Sequence, residues 1–333
     1  MKKIKVVQIG LAHDHSRCSA STIIKMNDVF DFAGIVIPED DPNTIFGSEP
    51  ITYDGVKMLT LEEALNDPTI EAAVIETSEL NLTKYAKLFA DKGCAIQMDK
   101  PGGIVYSEFE ELINTVRKKN LVFHTGYMYR YNPVVMKVME MVKNGELGEI
   151  TCVETHMDCL HNPEKRQWLG QFPGGMLFFL GCHLIDLIVQ IKGFPKEILP
   201  LSTCSHTDGV TAEDMGFAVM KYDNGFAFAK SCANEKGGFL RRQLVVVGTK
   251  GTVELKPIEI CKDGGQFTDY SITYNDGWYT PAESFTEGPY DRYEAMFRAF
   301  AEMVRGERVN PYTYDYELKL YRTILECCGA EIK

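Results

Sequence analysis

The chain lacks the marks of a membrane, nucleic-acid-binding or disulfide-stapled protein. No segment reaches the roughly 18 apolar residues that a bilayer span requires. The apolar run ending at Ile9 follows two lysines, but it is too short for a signal peptide, and His13, Asp14, His15 and Arg17 come at once after it. No long basic block interrupts a net charge of −12, so neither nucleic acid nor an anionic membrane surface is an expected partner. The ten cysteines include no C-x-x-C pair and keep no regular spacing. That argues against a zinc cage and for reduced, mostly buried thiols in a cytoplasm. Internal repeats and low-complexity linkers are also missing.

What remains is ordinary globular material: 333 residues, 45% apolar and 25% charged, enough for two domains. Up to residue 125, short apolar runs alternate with amphipathic ones. Strands are expected at 5–9, 32–37, 72–75, 95–98 and 121–124, with helices at 16–26, 61–65, 82–90 and 106–119. Near-continuous apolar strands separated by helices imply a doubly wound parallel sheet. After residue 150 the pattern changes to strands at 149–158, 215–222, 226–233, 243–247, 252–255 and 267–274. Asp223-Asn224-Gly225 and Thr249-Lys250-Gly251 supply the turns. Helices are expected at 131–143, 176–192, 290–305 and 315–328. The fold class is therefore α/β plus α+β: an N-terminal Rossmann sheet, then an open, mostly antiparallel sheet with helices. The expected domains are 1–125, for NAD(P), and 126–333, for substrate and oligomerisation, with the final helix returning to the first.

In a dinucleotide site, three glycines follow the first strand as G-x-G-x-x-G. Here the stretch is Gly10-Leu11-Ala12-His13-Asp14-His15, and only the first glycine is present. Ala12 costs little, whereas His15 is bulky where the helix should approach the sheet. His13 and His15 are open to three readings: donors to a pyrophosphate, a cap on the helix with Asp14 or Ser16, or metal ligands. H-x-H suits a metal, but no partner ligands are evident in the sequence, so no metal is expected. Glu39 or Asp40 stands where a carboxylate would accept both adenosine ribose hydroxyls, favouring NAD over NADP; the acidic run Glu39-Asp40-Asp41 also reads as a solvated loop.

Two residues carry the chemistry. Lys100 ends an apolar strand in Met98-Asp99-Lys100-Pro101, and His183 lies in Gly181-Cys182-His183-Leu184-Ile185-Asp186 with an aspartate three residues on. A lysine and a histidine can move a proton on and off a hydroxyl, as a nicotinamide enzyme needs when it oxidises a sugar or polyol.

These segments occur in a telling order. Asp99-Lys100-Pro101 precedes Tyr127-Met128-Tyr129-Arg130-Tyr131-Asn132-Pro133, then Asn144-Gly145-Glu146-Leu147-Gly148-Glu149-Ile150, Gly174-Gly175, the His183 helix and Thr249-Lys250-Gly251-Thr252. In that order, and over nearly the whole length, the chain resembles the glucose–fructose oxidoreductase / inositol dehydrogenase (Gfo/Idh/MocA) family. The resemblance implies a Rossmann domain joined to an open antiparallel sheet, an active site between them, and a homodimer or homotetramer built through the sheet. It implies reversible hydride transfer between NAD, or alternatively NADP, and a carbinol carbon of a sugar, polyol or glycoside.

On that resemblance Lys100 and His183 are the catalytic pair. Gly10, Ala12, His13, Glu39, Thr77 and Lys100 would bind cofactor. Arg130, Asp158, Trp168, Phe179 and Asp186 would address substrate, with Asp186 either holding the imidazole or anchoring its helix. One departure stands out: the family commonly has an aspartate four residues before the histidine, and this chain has Phe179. Three readings follow: an apolar substrate face against Phe179, replacement of the carboxylate by another such as Asp158, or loss of hydride transfer. The competing functions are accordingly an NAD-retaining glycoside-cleaving enzyme and a catalytically inactive binder or sensor.

Overall fold

A computed structural model gives the structure of the protein, described over residues 2–41, 55–275 and 277–332. The chain divides into two units. The first runs to Met128 and takes back Tyr293–Tyr321; the second comprises Tyr129–Arg292 and Arg322–Ile332. Residues 293–321, assigned from sequence to the second domain, thus join the first unit.

The first unit opens with β1 (Ile4–Ile9), α1 (Ser16–Lys25), β2 (Phe30–Val36), β3 (Met58–Leu59) and α2 (Leu61–Asn66). It continues through β4 (Ala72–Ile75), α3 (Leu82–Lys92), β5 (Ala95–Met98), α4 (Tyr106–Lys118) and β6 (Phe123–Thr125). The six strands pair in the order β3-β2-β1-β4-β5-β6, all parallel. Every residue of β4 and β5 is buried, as expected of strands covered on both faces. Local chemistry marks the boundaries. Thr60 and Glu63 close a capping box on α2. Gly93 ends α3 at φ 101°, a left-handed conformation that glycine takes without a Cβ penalty.

The strand order reverses beside β1, between the β1–β2 and β1–β4 pairs. The loops after β1, β4 and β5 therefore meet at one carboxyl edge of the sheet, the usual position for a ligand in such folds. Gly10, at φ 89°, makes that meeting tight: a Cβ there would lie 2.6 Å from Thr77 N and Cα.

The second unit begins with α5 (Pro133–Lys143), β7 (Ile150–His156), α6 (Pro163–Trp168), α7 (Met176–Phe179) and α8 (Cys182–Lys192). Strands β8 (Glu197–Pro200), β9 (Met215–Tyr222), β10 (Gly225–Cys232), β11 (Gln243–Gly248) and β12 (Thr252–Leu255) follow. Then come β13 (Ile260–Lys262), β14 (Gly265–Thr273) and β15 (Glu283–Tyr290). The nine-stranded sheet has the order β13-β14-β12-β11-β7-β10-β9-β8, with β15 on β14; only the β7–β10 pair is parallel. Asn132 starts α5 by accepting hydrogen bonds from Val134 N and Val135 N, with Pro133 in the first turn. The Asp223-Asn224 turn joins β9 and β10 as expected.

One face of this sheet packs against α7 and α8. Ala218, Met220, Ala227, Ala229, Val153 and Val246 are buried, six side chains small or aliphatic enough to lie under helices. The opposite face carries Phe217, Val219, Phe226, Phe228, Val245 and Val247, which all keep exposure, Phe226 as much as 49%. Within the chain, β10 is thus covered on one side only.

The last elements are α9 (Glu294–Val304) and α10 (Tyr314–Cys327). Helix α9 packs beside α1, and its Phe297 ring meets Phe30 edge-on at 6.3 Å. The expected helix at 290–305 starts later because Glu283–Tyr290 is a strand. Among the described residues no helix is long and apolar enough to cross a membrane, and all ten cysteines are free thiols.

Candidate active site

At the carboxyl edge of the first sheet, the loop after β1 brings His13 and His15, the end of β4 brings Glu76, Thr77 and Glu79, and the end of β5 brings Asp99 and Lys100. All seven are buried. The Lys100 backbone is held on both sides: its N–H donates to Asp99 Oδ1 at 2.6 Å, and its carbonyl lies 3.1 Å from His13 Nε2. Lys100 itself is 1% exposed. His15 Nδ1 lies 3.0 Å from Asp99 Oδ2, and His13 Nδ1 lies 3.2 Å from the same oxygen. His15 precedes α1 but makes no side-chain cap, so the capping reading of the histidines is not the arrangement found.

The electrostatics follow from crowding. Burial opposes the Asp99 charge, yet His13 and His15 outweigh it and hold the carboxyl well below its usual range. Burial, with the Asp99 charge behind it, pushes Glu76 well above. Burial likewise raises Glu79. Burial works against a charged His13, but Asp99 and Glu79 prevail and raise it; for His15 burial wins and lowers it to about 4.

The acidic run after β2 splits into three fates. Asp40 is tied to Lys84 and Tyr85 of α3. Asp41 accepts from Ser78 N, Ser78 Oγ and Asn81 Nδ2 at 2.7–3.1 Å. Glu39 is exposed. Of the two carboxylates weighed for the ribose, Glu39 is the one not engaged by α3.

In the second unit, His183 sits in the first turn of α8, 1% exposed, with its ring edge-on to Tyr129 at 5.1 Å. The Tyr129 hydroxyl donates to Glu259, which also accepts from Arg242 at 2.9 Å and Arg292 at 2.6 Å. Asp186 takes the Arg130 guanidinium, at 2.7 Å from Nη2 and 3.0 Å from Nε, and accepts from Gln190 at 2.8 Å. The anchoring role weighed for Asp186 is the one this pair serves. Both residues, expected to address substrate, are engaged with each other. Asp158 is fully buried, accepting from Lys230 Nζ at 3.0 Å and Cys232 N at 2.7 Å. It is thus a tie between β7 and β10.

Phe179 does not sit as expected. The helix expected at 176–192 is broken at Leu180–Gly181, where a Cβ on Gly181 would lie 2.7 Å from the Leu177 carbonyl. The His183 N–H accordingly donates to Leu180 O, not to Phe179 O, so residues 179 and 183 do not share one continuous helical face. Phe179 instead packs on Trp168 at 5.5 Å and Phe172 at 6.3 Å. Trp168 ends α6. Lys165, unremarked in the sequence, puts its ammonium 4.5 Å from the Phe179 ring centre and 4.8 Å from that of Trp168. The other tryptophan, Trp278, is 94% exposed.

Sequence reading thus found Lys100, His13 and Thr77 but missed Glu76, Glu79 and Asp99 as their neighbours. Their position directly after the apolar runs of β4 and β5 was the available signal. Lys165 and Glu259 carried none.

Comparison with known proteins agrees with this architecture. The family model described as "Oxidoreductase family, C-terminal alpha/beta domain" (GFO_IDH_MocA_C) matches residues 139–316. An uncharacterised oxidoreductase of Schizosaccharomyces pombe is 30% identical over 149 residues, 44% of this chain and 40% of that protein. The mouse trans-1,2-dihydrobenzene-1,2-diol dehydrogenase is 25% identical over 210 residues, 61% of each chain. The matched stretches therefore span about 40% to 61% of those relatives' lengths. In fold, the aldose–aldose oxidoreductase of Caulobacter crescentus superposes with a TM-score of 0.76 at 16% identity, covering 98% of both chains. With the parallel sheet, the nine-stranded partner sheet and a family model covering more than half its residues, the chain belongs to the Gfo/Idh/MocA family of oxidoreductases.

Proposed function

We propose that the protein is an NAD(P)-dependent dehydrogenase acting on a carbinol carbon. The observation that carries this is Lys100: a buried lysine at the carboxyl end of β5, its backbone fastened by Asp99 and His13. The edge around it suits a dinucleotide. Thr77 Oγ1 is buried there without a hydrogen-bond partner, and a buried hydroxyl left in that state is a cost a ligand can relieve. Gly10 closes the turn, Ala12 is small, and Glu39 is exposed at the end of β2. Gly10, Ala12, His13 and Thr77 would hold the phosphates and nicotinamide ribose, and Glu39 the adenosine ribose. When bound, the nicotinamide supplies hydride acceptance and donation.

The chain's own part is proton and charge handling. The Lys100 ammonium would donate to the reacting hydroxyl and stabilise the alkoxide as it forms. His183 would take the hydroxyl proton as general base. Trp168, half-buried and backed by Phe179 and Phe172, would offer an aromatic surface, which favours a substrate with an apolar face. The name of the mouse relative, a diol on a six-membered carbon ring, supports that choice over an open-chain polyol. With Arg130, Asp186 and Asp158 engaged elsewhere, recognition rests more on that aromatic face than on charged forks. We further propose a homo-oligomer, dimer or tetramer, using the half-exposed face of Phe217, Phe226 and Phe228; light scattering at micromolar concentration tests it, a 37.5 kDa monomer being the contrary result.

The experiment for the activity is NADH or NADPH formation over a panel of cyclic diols, sugars, polyols and aryl glycosides, with wild type and His183→Asn. Activity on at least one cyclic diol or sugar, lost in the variant, is expected. Dinucleotide binding by titration calorimetry without turnover of any panel member would instead favour the binder reading.

A further inference from the structure

We infer that His15 and Gly126 are positioning residues for Lys100, acting through the Asp99 carboxylate, a role that rests on the dehydrogenase reading above. The ladder between β4 and β5 ends at Asp99, whose N–H donates to the Ile75 carbonyl at 3.0 Å. Beyond it the chain leaves the sheet, and the peptide groups of Lys100 must find other partners. Those partners are side chains: the N–H donates to Asp99 Oδ1 at 2.6 Å, and the carbonyl lies 3.1 Å from His13 Nε2. Pro101 follows, with no N–H to fasten the chain further on. The place of the Lys100 peptide, and with it the root of the ammonium-bearing side chain, therefore depends on where the Asp99 carboxylate stands.

Two residues from other elements fix that carboxylate. His15 Nδ1 lies 3.0 Å from Asp99 Oδ2 and 3.2 Å from Oδ1. Burial lowers the His15 pKa to about 4, so at pH 7 the ring is neutral and carries one N–H. The ionised Asp99 can only accept, so that hydrogen sits on Nδ1 and is donated to it. His15 is itself fixed: its carbonyl accepts from Ser19 N–H at 3.0 Å as α1 begins, and its ring meets Tyr293 edge-on at 5.7 Å. Gly126 follows β6, and its N–H donates to the Met98 carbonyl at 2.8 Å. A Cβ at position 126 would lie 2.9 Å from Asp99 Oδ1 and 3.1 Å from Asp99 Cα. The φ of Gly126 is outside the left-handed region, so space, not backbone conformation, excludes a side chain there.

The same contacts account for the defect in the glycine loop. His15 stands where a third glycine is usual, and a glycine has no side chain with which to reach Asp99. The departure from G-x-G-x-x-G at this position ties the start of α1 to the strand end that bears Lys100. Neither His15 nor Gly126 touches the reacting atoms. Each sets the position of a group that does, and a misplacement of about 1 Å can cost roughly 10²-fold in rate.

The test uses the full chain labelled with 15N-lysine and 13C-carbonyl aspartate, which selects the amides that follow an aspartate: Lys92 in α3, and Lys100. Their solvent exchange is compared in wild type, His15→Leu, His15→Asn and Gly126→Ala. Asn can place an N–H where Nδ1 stands, and Leu cannot. In His15→Leu and Gly126→Ala the Lys100 amide should exchange at least roughly tenfold faster, with Lys92 unchanged as the sign of an intact fold. On a panel substrate that the wild type oxidises, kcat should fall roughly 10–100-fold in both, with the KM for dinucleotide within about threefold. His15→Asn should stay close to wild type in both readouts. Unchanged Lys100 exchange in His15→Leu and Gly126→Ala would overturn the inference. So would a His15→Leu loss confined to dinucleotide affinity, which would make His15 a cofactor contact. A wild type that oxidises no panel member fails the dehydrogenase reading instead, and the Lys100 amide still decides whether His15 and Gly126 hold it.

Discussion

Two polar regions of the molecule obey opposite rules. In the second unit, charges close on each other: Arg130 with Asp186, Lys230 with Asp158, and Arg166 with Asp214 at 3.2 Å. At the carboxyl edge of the first sheet the closure is incomplete. There Glu76 Oε2 and Thr77 Oγ1 are buried without hydrogen-bond partners, and Asp99 is shared between two histidines. The first pattern is that of groups holding a fold. The second is that of groups prepared for something the chain does not itself contain. An unclosed buried polar group calls for a ligand, a water or local strain to account for it, and at the carboxyl ends of these parallel strands a ligand is the fitting account.

The sharpest way to break this comparison is to remove half of a closed pair. Arg130→Leu should leave the Asp186 carboxylate buried without its guanidinium, costing about 3–5 kcal/mol. Urea unfolding measures it. The double variant Arg130→Leu, Asp186→Leu should recover much of that loss, because the uncompensated charge is gone. A single variant within 1 kcal/mol of wild type would mean that the pair is not a fold-holding one.

At the open edge the reverse is expected. Lys100→Met keeps the length and apolar stem but not the ammonium. Removing a group that stabilises charge mainly in the transition state should lower kcat/KM by roughly 10²–10³, about 2.7–4 kcal/mol. The urea midpoint should move far less than for Arg130→Leu. Loss of stability with normal turnover would make Lys100 another scaffold charge.

Legibility in the sequence divides along related lines. Strands β4, β5, β9 and β12 were read to the residue, since each is a short apolar or alternating run bounded by a turn or a charged residue. Strand β15 was missed because Glu283–Tyr290 contains Gly288 and Pro289, is exposed almost throughout, and pairs only with β14. An edge strand has no buried face to give it a pattern. The break between α7 and α8 was invisible because Gly181 lies in an otherwise apolar stretch. Of the site, residues at strand ends were legible because the strand is. The pairing of His15 with Asp99 was not, since 84 residues separate them and only the adjacency of β1, β4 and β5 brings them together. Arg130 and Asp186 were each suspected, but as substrate ligands; nothing local told either that its partner was the other.

Phe179 tests the boundary between the two regions. Restoring the carboxylate usual in the family, Phe179→Asp, places it beside the Lys165 ammonium, now 4.5 Å from the ring centre. An ion pair should form there, converting an aromatic face into one more closed pair. We therefore expect no gain on open-chain polyols and a several-fold higher KM on any cyclic diol that the wild type accepts, read by NADH formation. A clear gain on plain polyols would show that the missing carboxylate was a catalytic deficit.

The smallest effect is expected on the open face of the second sheet. His156 points out from β7, and burial, reinforced by Lys230 and Arg241, lowers its pKa to about 4 from 6.5. Between those two values the unfolded chain holds more proton on this residue than the folded chain does. Stability must then fall as pH drops from 6.5 toward 4, and this contribution is flat above 6.5. Half-exposure and salt screen the effect, so it should appear as a shallow slope in the urea midpoint across that window. His156→Gln keeps a polar side chain of similar reach without the titration, and should flatten the slope while leaving the midpoint at pH 8 nearly unchanged. If subunits associate through this face, protonating His156 also charges the interface, and the slope should steepen as protein concentration rises. A slope identical in wild type and variant would place the acid sensitivity with the buried carboxylates and histidines of the first sheet instead.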